Sequence, residues 1–233
     1  MKVPFFDFGS FHVEIVQKRI KNIYFRVYPL KKTILVSAPA QLDPETLNQA
    51  ILSKRDWILR QVNKRTARQP SPEKTYTTGE GFLFQGKAYP LSVLEQEQGK
   101  PACIFSQDHI QLTVKPGSTL LDRQSLIDGW CRKEMQQSVF LFLEKWEPLI
   151  GVKIRRFGVR KMKTRWGSCN IKAARIWLNL SLIHLPPRCL EYVTVHEMVH
   201  LLERGHNARF KGFMDQFIPD WRDLKKELKS FCL

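Results

Sequence analysis

Residues 196–206 read His-Glu-Met-Val-His-Leu-Leu-Glu-Arg-Gly-His, which is H-E-x-x-H followed by a third histidine. Residues four apart lie on the same face of an α-helix, so His196 and His200 can reach one metal ion. Glu197 is offset by about 100° around the helix. It does not easily join the same ligand set, but it can reach a water molecule held beside the ion. The pattern is typical of catalytic zinc sites, which use three protein ligands and a water.

The third ligand must come from beyond this helix, so the helix has to end soon after His200. Gly205 tolerates the left-handed conformation that often ends helices, and we expect the break there. The sequence therefore predicts Zn²⁺ bound by His196, His200 and His206, with Glu197 activating the water. A chance H-E-x-x-H occurs in roughly one in a hundred such chains, and the third histidine makes it about fortyfold rarer. A metal site without turnover stays an alternative, although a structural zinc site needs no carboxylate beside its ligands.

Positive charge is the second notable feature of the chain. The net charge is +16 over 233 residues, and seven basic residues fall in the thirteen positions 153–165. Such a cluster can neutralise nucleic-acid phosphates, favour acidic protein substrates, or simply form a solvated strand face. It lacks the interleaved aromatic residues of a single-strand binding platform. Nucleic acid is therefore a candidate partner through segment 153–165, and charge alone does not identify it.

The compartment is predicted from what the sequence lacks. No signal-peptide core follows the N-terminus, and no apolar stretch reaches the eighteen residues of a membrane span. The five cysteines are odd in number, widely spaced and without a C-x-x-C pair, so neither a disulfide framework nor a thiolate metal site is indicated. We expect a cytoplasmic protein with no membrane segment.

Hydrophobic periodicity predicts a mainly β N-terminal region, 1–115, with one helix. The helix should begin with Asp43 as its N-cap and Pro44 at its first position, and 69–74 reads as a polar, proline-rich connector. The predicted strands are 11–16, 23–28, 33–37, 81–84, 89–94, 102–105 and 110–114.

The second predicted domain, 116–233, carries the histidine motif. Its expected elements are a long helix 120–146, strands 161–169 and 175–180, a motif helix starting near 188–190, and a final helix 221–229. Strands and helices that segregate in this way indicate an α+β fold.

Several motifs together resemble the YgjP-like zinc metallopeptidases. They are Met162-Lys163-Thr164-Arg165-Trp166-Gly167-Ser168-Cys169, Leu178-Asn179-x-x-Leu182, Pro186-Pro187, the H-E-x-x-H segment, Gly205-His206-Asn207-x-Arg209-Phe210 and, near the N-terminus, Val36-Ser37-Ala38-Pro39. The resemblance extends from about residue 20 to the C-terminus. Two positions depart from the family pattern: Asn207 stands where serine is usual, and Lys211 stands where an aromatic residue is expected.

This resemblance implies a zincin-like catalytic domain, His206 as the third ligand, and a peptide or protein substrate. The family is distantly similar to SprT-like and Wss1-like proteases, which act on proteins attached to DNA. Glu203 stands where metzincins, which share this ligand spacing, have glycine, and this argues against a metzincin.

The working hypothesis is peptide-bond hydrolysis by a zinc-activated water, with Glu197 as general base. A strand beside the cleft, 165–169 or 176–180, would pair with the substrate backbone. Glu203 or Asp215 would support the histidine ligands. Two alternatives stay open: a nucleic-acid-associated protease, and a basic binding module whose metal site is not catalytic. The sequence leaves the oxyanion-stabilising group, the oligomeric state and the identity of the substrate open.

Overall fold

The computed structural model describes residues 8, 10–28, 31–66 and 74–231. Its chain divides into two compact units, Met1–Lys74 and Thr75–Leu233. The predicted α+β class is confirmed, since both units combine strands with helices. Within the described residues, no helix is both long and apolar enough to cross a bilayer.

The first unit is a three-stranded sheet with two helices. Its strands and helices are β1 (His12–Lys18), β2 (Tyr24–Tyr28), β3 (Thr33–Pro39), α1 (Pro44–Ser53) and α2 (Arg55–Thr66). β3 is central, parallel to β1 and antiparallel to β2. Asp43 caps α1 by accepting the Thr46 N–H at 2.9 Å, as predicted. The single helix predicted here is interrupted at Lys54, which separates α1 from α2.

The second unit begins with a four-stranded sheet and one long helix. The elements are β4 (Gly81–Phe84), β5 (Lys87–Glu95), β6 (Ala102–Ser106), β7 (His109–Val114) and α3 (Leu120–Ile150). The strand order is β4-β5-β7-β6. α3 starts at a capping box, in which Thr119 and Asp122 satisfy each other's main-chain N–H groups. It ends at Gly151 in the left-handed conformation.

A second, smaller sheet follows α3. It contains β8 (Arg156–Arg160), β9 (Gly167–Asn170) and β10 (Arg175–Asn179), in the order β8-β10-β9. β10 is parallel to β8 and antiparallel to β9. The predicted strand 161–169 is wrong in its bounds, because only its last three residues enter a strand, and β8 was not predicted as a separate strand. Parallel pairing between β8 and β10 depends on contacts distant in sequence, which local periodicity does not reveal.

The remaining elements are helical: a 3-10 helix (Leu180–His184), α4 (Pro187–Val199), α5 (Ala208–Phe217) and α6 (Trp221–Ser230). α4 carries the histidine motif and α6 matches the predicted final helix, whereas α5 was not predicted. α4 packs against α3, α5, α6, β9 and β10, so most of its side chains are buried.

The predicted division at 115/116 does not coincide with the two compact units. Core residues of the four-stranded sheet, such as Leu91 and Leu112, share one hydrophobic cluster with Met135 of α3 and Met198 of α4. The strands between 81 and 114 therefore pack with the helices that follow them. The first unit has a separate core, which includes Ile34, Val36 and Ile51.

Candidate metal centre

α4 supplies two of the three histidines from one face. Pro187 occupies its first helical position, where a missing N–H costs nothing. The helix is fixed by buried neighbours of the motif, among them Val195, Met198 and Val199, each fully buried. His196 and His200 are half-buried and lie one turn apart, with ring centroids separated by 5.0 Å. The helix therefore holds both imidazoles side by side before any ligand binds.

The helix ends at the second histidine, since His200 is the C-cap of α4. α4 stops at Val199, and the next main-chain N–H groups turn back onto its last carbonyls, from Leu201 to Met198 and from Leu202 to Val199. Our expectation for Gly205 is wrong: it does not adopt a left-handed conformation, and the break lies several residues earlier. The tight turn at 199–203 redirects the chain instead.

The turn brings the third histidine back to the first two. Among the described residues, one group of side chains could hold a metal ion, and it consists of His196, His200 and His206. Their ligand nitrogens all lie within 4.8 Å of one another, and Nε2 of His196 is 3.0 Å from Nε2 of His206. The three residues predicted from spacing are therefore brought together around one point.

The protonation states suit a metal. Nδ1–H of His200 donates to the main-chain carbonyl of Glu203 at 3.1 Å, which leaves its Nε2 with a free lone pair. Burial, followed by the neighbouring His200 and His206, lowers the pKa of His196 to about 3. Burial also lowers the pKa of His206. Neutral imidazole is the form that binds metals, so these residues fit a transition-metal ion.

Aromatic packing orients all three imidazoles. The Phe210 ring is 1% exposed, and its centroid lies 4.9 Å from those of His196 and His200 and 4.8 Å from that of His206. Nδ1 of His196 is buried and has no hydrogen-bond partner among the described residues. The orientation of its ring therefore depends on Phe210 and on Tyr192, which lies edge-on at 5.8 Å.

Asn207 fixes where Phe210 sits. Its side-chain oxygen accepts the Phe210 N–H at 3.0 Å and caps α5 directly after His206. Serine, which is usual at this position in the family, can cap a helix in the same way, so the departure at 207 preserves the cap. Lys211, the other departure, is exposed on α5.

Glu197 is buried beside β9. Its side chain is 5% exposed, and a Cβ atom added to Gly167 would lie only 2.6 Å from its Oε1. Burial raises the pKa of Glu197 to about 8, and the positive charge of Arg165 opposes this shift. Burial, with a smaller contribution from Glu197, raises the pKa of the nearby Cys169 thiol to about 11. Only a glycine at 167 lets the strand backbone approach this carboxylate so closely.

Asn179 anchors the loop that leads into β9. It is fully buried, and its Nδ2 donates to the main-chain carbonyls of Met162 at 2.8 Å and Arg165 at 2.9 Å. Its Oδ1 accepts the N–H groups of Met162 and Ser181. One amide therefore places the loop that brings Arg165 towards Glu197.

Phe210, Gly167 and Asn179 were not predicted to serve the site. All three lie within the motifs that carried the family resemblance, and this was the available signal. Of the expected supports, Glu203 acts through its main-chain carbonyl and not its carboxylate. Asp215 instead accepts hydrogen bonds from Trp221 and Arg222.

Three imidazoles from an H-E-x-x-H helix and the turn after it form a candidate metal site beside a buried glutamate. The family model described as "YgjP-like, metallopeptidase domain" matches residues 21–231, so the chain belongs to the YgjP-like family. A search of curated protein sequences gave no match. Among solved structures, the metallopeptidase zymogen of Pyrococcus abyssi abylysin is similar at 18% identity with a TM-score of 0.37. That match covers 40% of this chain and 92% of the abylysin chain.

Proposed function

We propose that this chain is a zinc-dependent peptidase whose ion is held by His196, His200 and His206. The observation that carries the proposal is the convergence of three imidazole nitrogens beside one buried carboxylate, that of Glu197. Imidazole ligands suit zinc, and burial lowers the pKa of two of these rings, which favours the neutral form that binds metals. Zinc supplies a Lewis acid that polarises the scissile carbonyl and acidifies a bound water.

Glu197 is the proposed general base. It accepts a proton from the attacking water and delivers that proton to the leaving amine. Burial supports this role because it raises the carboxyl pKa to about 8, within a range where the group can both accept and return a proton near neutral pH. Arg165, and a nearby dication, favour the ionised form that must act first.

The substrate strand is proposed to pair with β9. Of the two strands considered from the sequence, β10 is central, with β8 on one side and β9 on the other. β9 is an edge strand of this sheet, and its first residue, Gly167, touches Glu197. An extended peptide added to this edge would run past the general base, with its main chain paired to that of β9.

Glu197→Gln tests the catalytic assignment. The variant keeps the shape of the side chain but removes its basicity, so we expect one zinc per chain by elemental analysis and loss of peptide hydrolysis. Glu203→Gln is the matched control, because it retains the main-chain carbonyl that accepts from His200. Full hydrolysis by Glu197→Gln would exclude the general-base role. Zinc-free wild type, even after supplementation, would exclude the zinc enzyme.

The alternative is a binding module that holds a metal but does not catalyse a reaction. Glu197→Gln and Glu203→Gln also test this alternative. It would show zinc in the wild type and in both variants, with no hydrolysis by any of them. The proposal also includes a peptide or protein substrate, a cytoplasmic location, and a zincin-like catalytic domain at 116–233 preceded by the β-rich region 1–115.

The nucleic-acid alternative rests on basic segment 153–165. Lys153 and Lys161 form ion pairs with Glu147 and Asp128. The other five basic side chains of the segment form no ion pair with any described residue. The structure therefore leaves most of the charge of this segment available to a partner.

A further inference from the structure

The sheet β8-β10-β9 has one face towards the core and one face away from it. Alternate residues of a strand point to opposite faces, and Ile176 and Leu178 of β10 are fully buried in the core. The opposite face carries Arg175 and Trp177 of β10 together with Arg156, Gly158 and Arg160 of β8. We call these five residues the arginine–tryptophan face.

The indole of Trp177 lies close to the backbone of the neighbouring strand because residue 158 is glycine. Gly158 is directly opposite Trp177 in the register, and a Cβ atom there would come within 2.7 Å of Cε3 of the indole. Any other residue would displace the ring. The indole is half-buried, and its six-membered ring lies against Gly158 of β8.

Two guanidinium groups lie near the ring of Trp177. The Cζ atoms of Arg160 and Arg175 lie 4.7 Å and 5.5 Å from the ring centroid. Arg156 is directly opposite Arg175 in the register, and like charges in this arrangement repel each other. None of these three arginines forms an ion pair with a described residue, so the sheet carries this repulsion without a countercharge.

The sequence around this face adds further positive charge and no negative charge. Residues 148–190 contain ten lysines and arginines and no aspartate or glutamate. Another described tryptophan with an arginine over its ring gives a contrast. Trp221 is buried, and Arg222, 4.6 Å from its centroid, is neutralised by Asp215. The charge of Arg222 is therefore balanced by a carboxylate. The three arginine charges of the arginine–tryptophan face have no such partner among the described residues.

We propose that the arginine–tryptophan face binds single-stranded nucleic acid. The three guanidinium groups match phosphates, and bases stack on the indole or on the guanidinium plane above it. Segment 153–165 contains one aromatic residue, Phe157, which is opposite the buried Ile176 and so belongs to the core-facing side. The adjacent strand supplies Trp177 as the aromatic residue of the other face. An acidic peptide would use the charges but not the ring, and a duplex keeps its bases stacked inside. The single strand uses both features.

This site is separate from the metal centre. Gly167, which touches Glu197, is directly opposite Leu178 and so belongs to the core-facing side of the sheet. Ser168, the partner of Trp177 in the register, belongs to the other side. Nucleic-acid binding is therefore expected to be independent of zinc and of catalysis.

The test is fluorescence anisotropy of a labelled oligothymidylate titrated with the full chain over a range of salt concentrations. Trp177→Ala should weaken binding by about 5- to 150-fold, the range for loss of one base–aromatic stack. Arg160→Ala should reduce the magnitude of the slope of log K against log salt by about 0.7, the value for one lost phosphate contact on a single strand. Lys100→Ala, which removes an exposed charge from the turn between β5 and β6, is the matched control and should change neither quantity.

Arg160 is exposed, so its variant tests the proposal even if Trp177→Ala does not fold. Oligothymidylate binding by the Glu197→Gln variant stripped of metal should equal that of the wild type. The proposal is overturned if Trp177→Ala and Arg160→Ala behave like Lys100→Ala. It is also overturned if polyglutamate or a duplex competes as well as the single strand, or if binding requires the metal.

Discussion

Adding one methyl group at position 167 perturbs the proposed general base without touching a histidine. In Gly167→Ala, the new Cβ would lie 2.6 Å from Oε1, 2.8 Å from Cγ and 2.9 Å from Cδ of Glu197. Ordinary contact begins near 3.4 Å, so the carboxylate or the strand must move by about 0.5–0.8 Å. Overpacking of this kind costs about 1–3 kcal/mol of folding free energy.

The catalytic cost follows from the same displacement. A misplacement of about 1 Å can lower a rate by roughly 10²-fold, so we expect kcat to fall by about 10- to 100-fold. Zinc content should stay at the wild-type level, because none of the three atoms nearest to the added methyl group belongs to a ligand histidine. The assay is hydrolysis of a quenched-fluorescence peptide library, with elemental analysis and thermal unfolding of the same preparations.

Gly212→Ala is the matched control. Gly212 lies in α5, and an added Cβ would meet nothing within 4 Å. This variant should keep full activity and gain about 0.5–1 kcal/mol, as expected for replacing a glycine within a helix. A folded Gly167→Ala protein with normal zinc content and undiminished kcat would refute the reasoning that ties β9 to Glu197.

Three other variants test the supports of the site and the fold. Phe210→Leu should weaken zinc binding by about 10- to 100-fold in a chelator competition, because the ring contacts all three imidazoles. Phe213→Leu in the same helix should not, and equal affinities for the two variants would contradict the supporting role of Phe210. Asn179→Ala leaves two main-chain carbonyls without their side-chain donor and should lower the free energy of unfolding by about 1–3 kcal/mol or more in urea titrations. Thr119→Ala removes the capping box of α3 and should cost about 0.5–2 kcal/mol in the same measurement, and no change would show that the cap is dispensable.

The ligand set could be predicted because its geometry is local. The spacing of His196 and His200 places them on one helical face whatever the rest of the fold does. His206 needed only a helix end before residue 206, and the structure supplies it at His200, the C-cap of α4, and not at the expected glycine. Helix caps at Asp43 and the start of α6 were predicted for the same reason.

The supporting residues could not be predicted from local pattern. Gly167 meets Glu197, and Trp177 meets Gly158, across strands and helices whose pairing is set by the whole core. The sequence alone does not distinguish a glycine that adopts a turn conformation from one that makes room for a neighbouring side chain. The parallel partner of β10 was missed because parallel pairing joins segments that are not adjacent in the chain.

Phe210 makes the three histidines thermodynamically dependent on one another. Since a single buried ring contacts all three imidazoles, removal of one histidine lets that ring repack and shifts the two that remain. Substitutions at His196, His200 and His206 should therefore show coupling energies in double-mutant cycles even when no ion is bound. We therefore expect the three histidines and Phe210 to behave as one cooperative unit, although Phe210 carries no ligand atom.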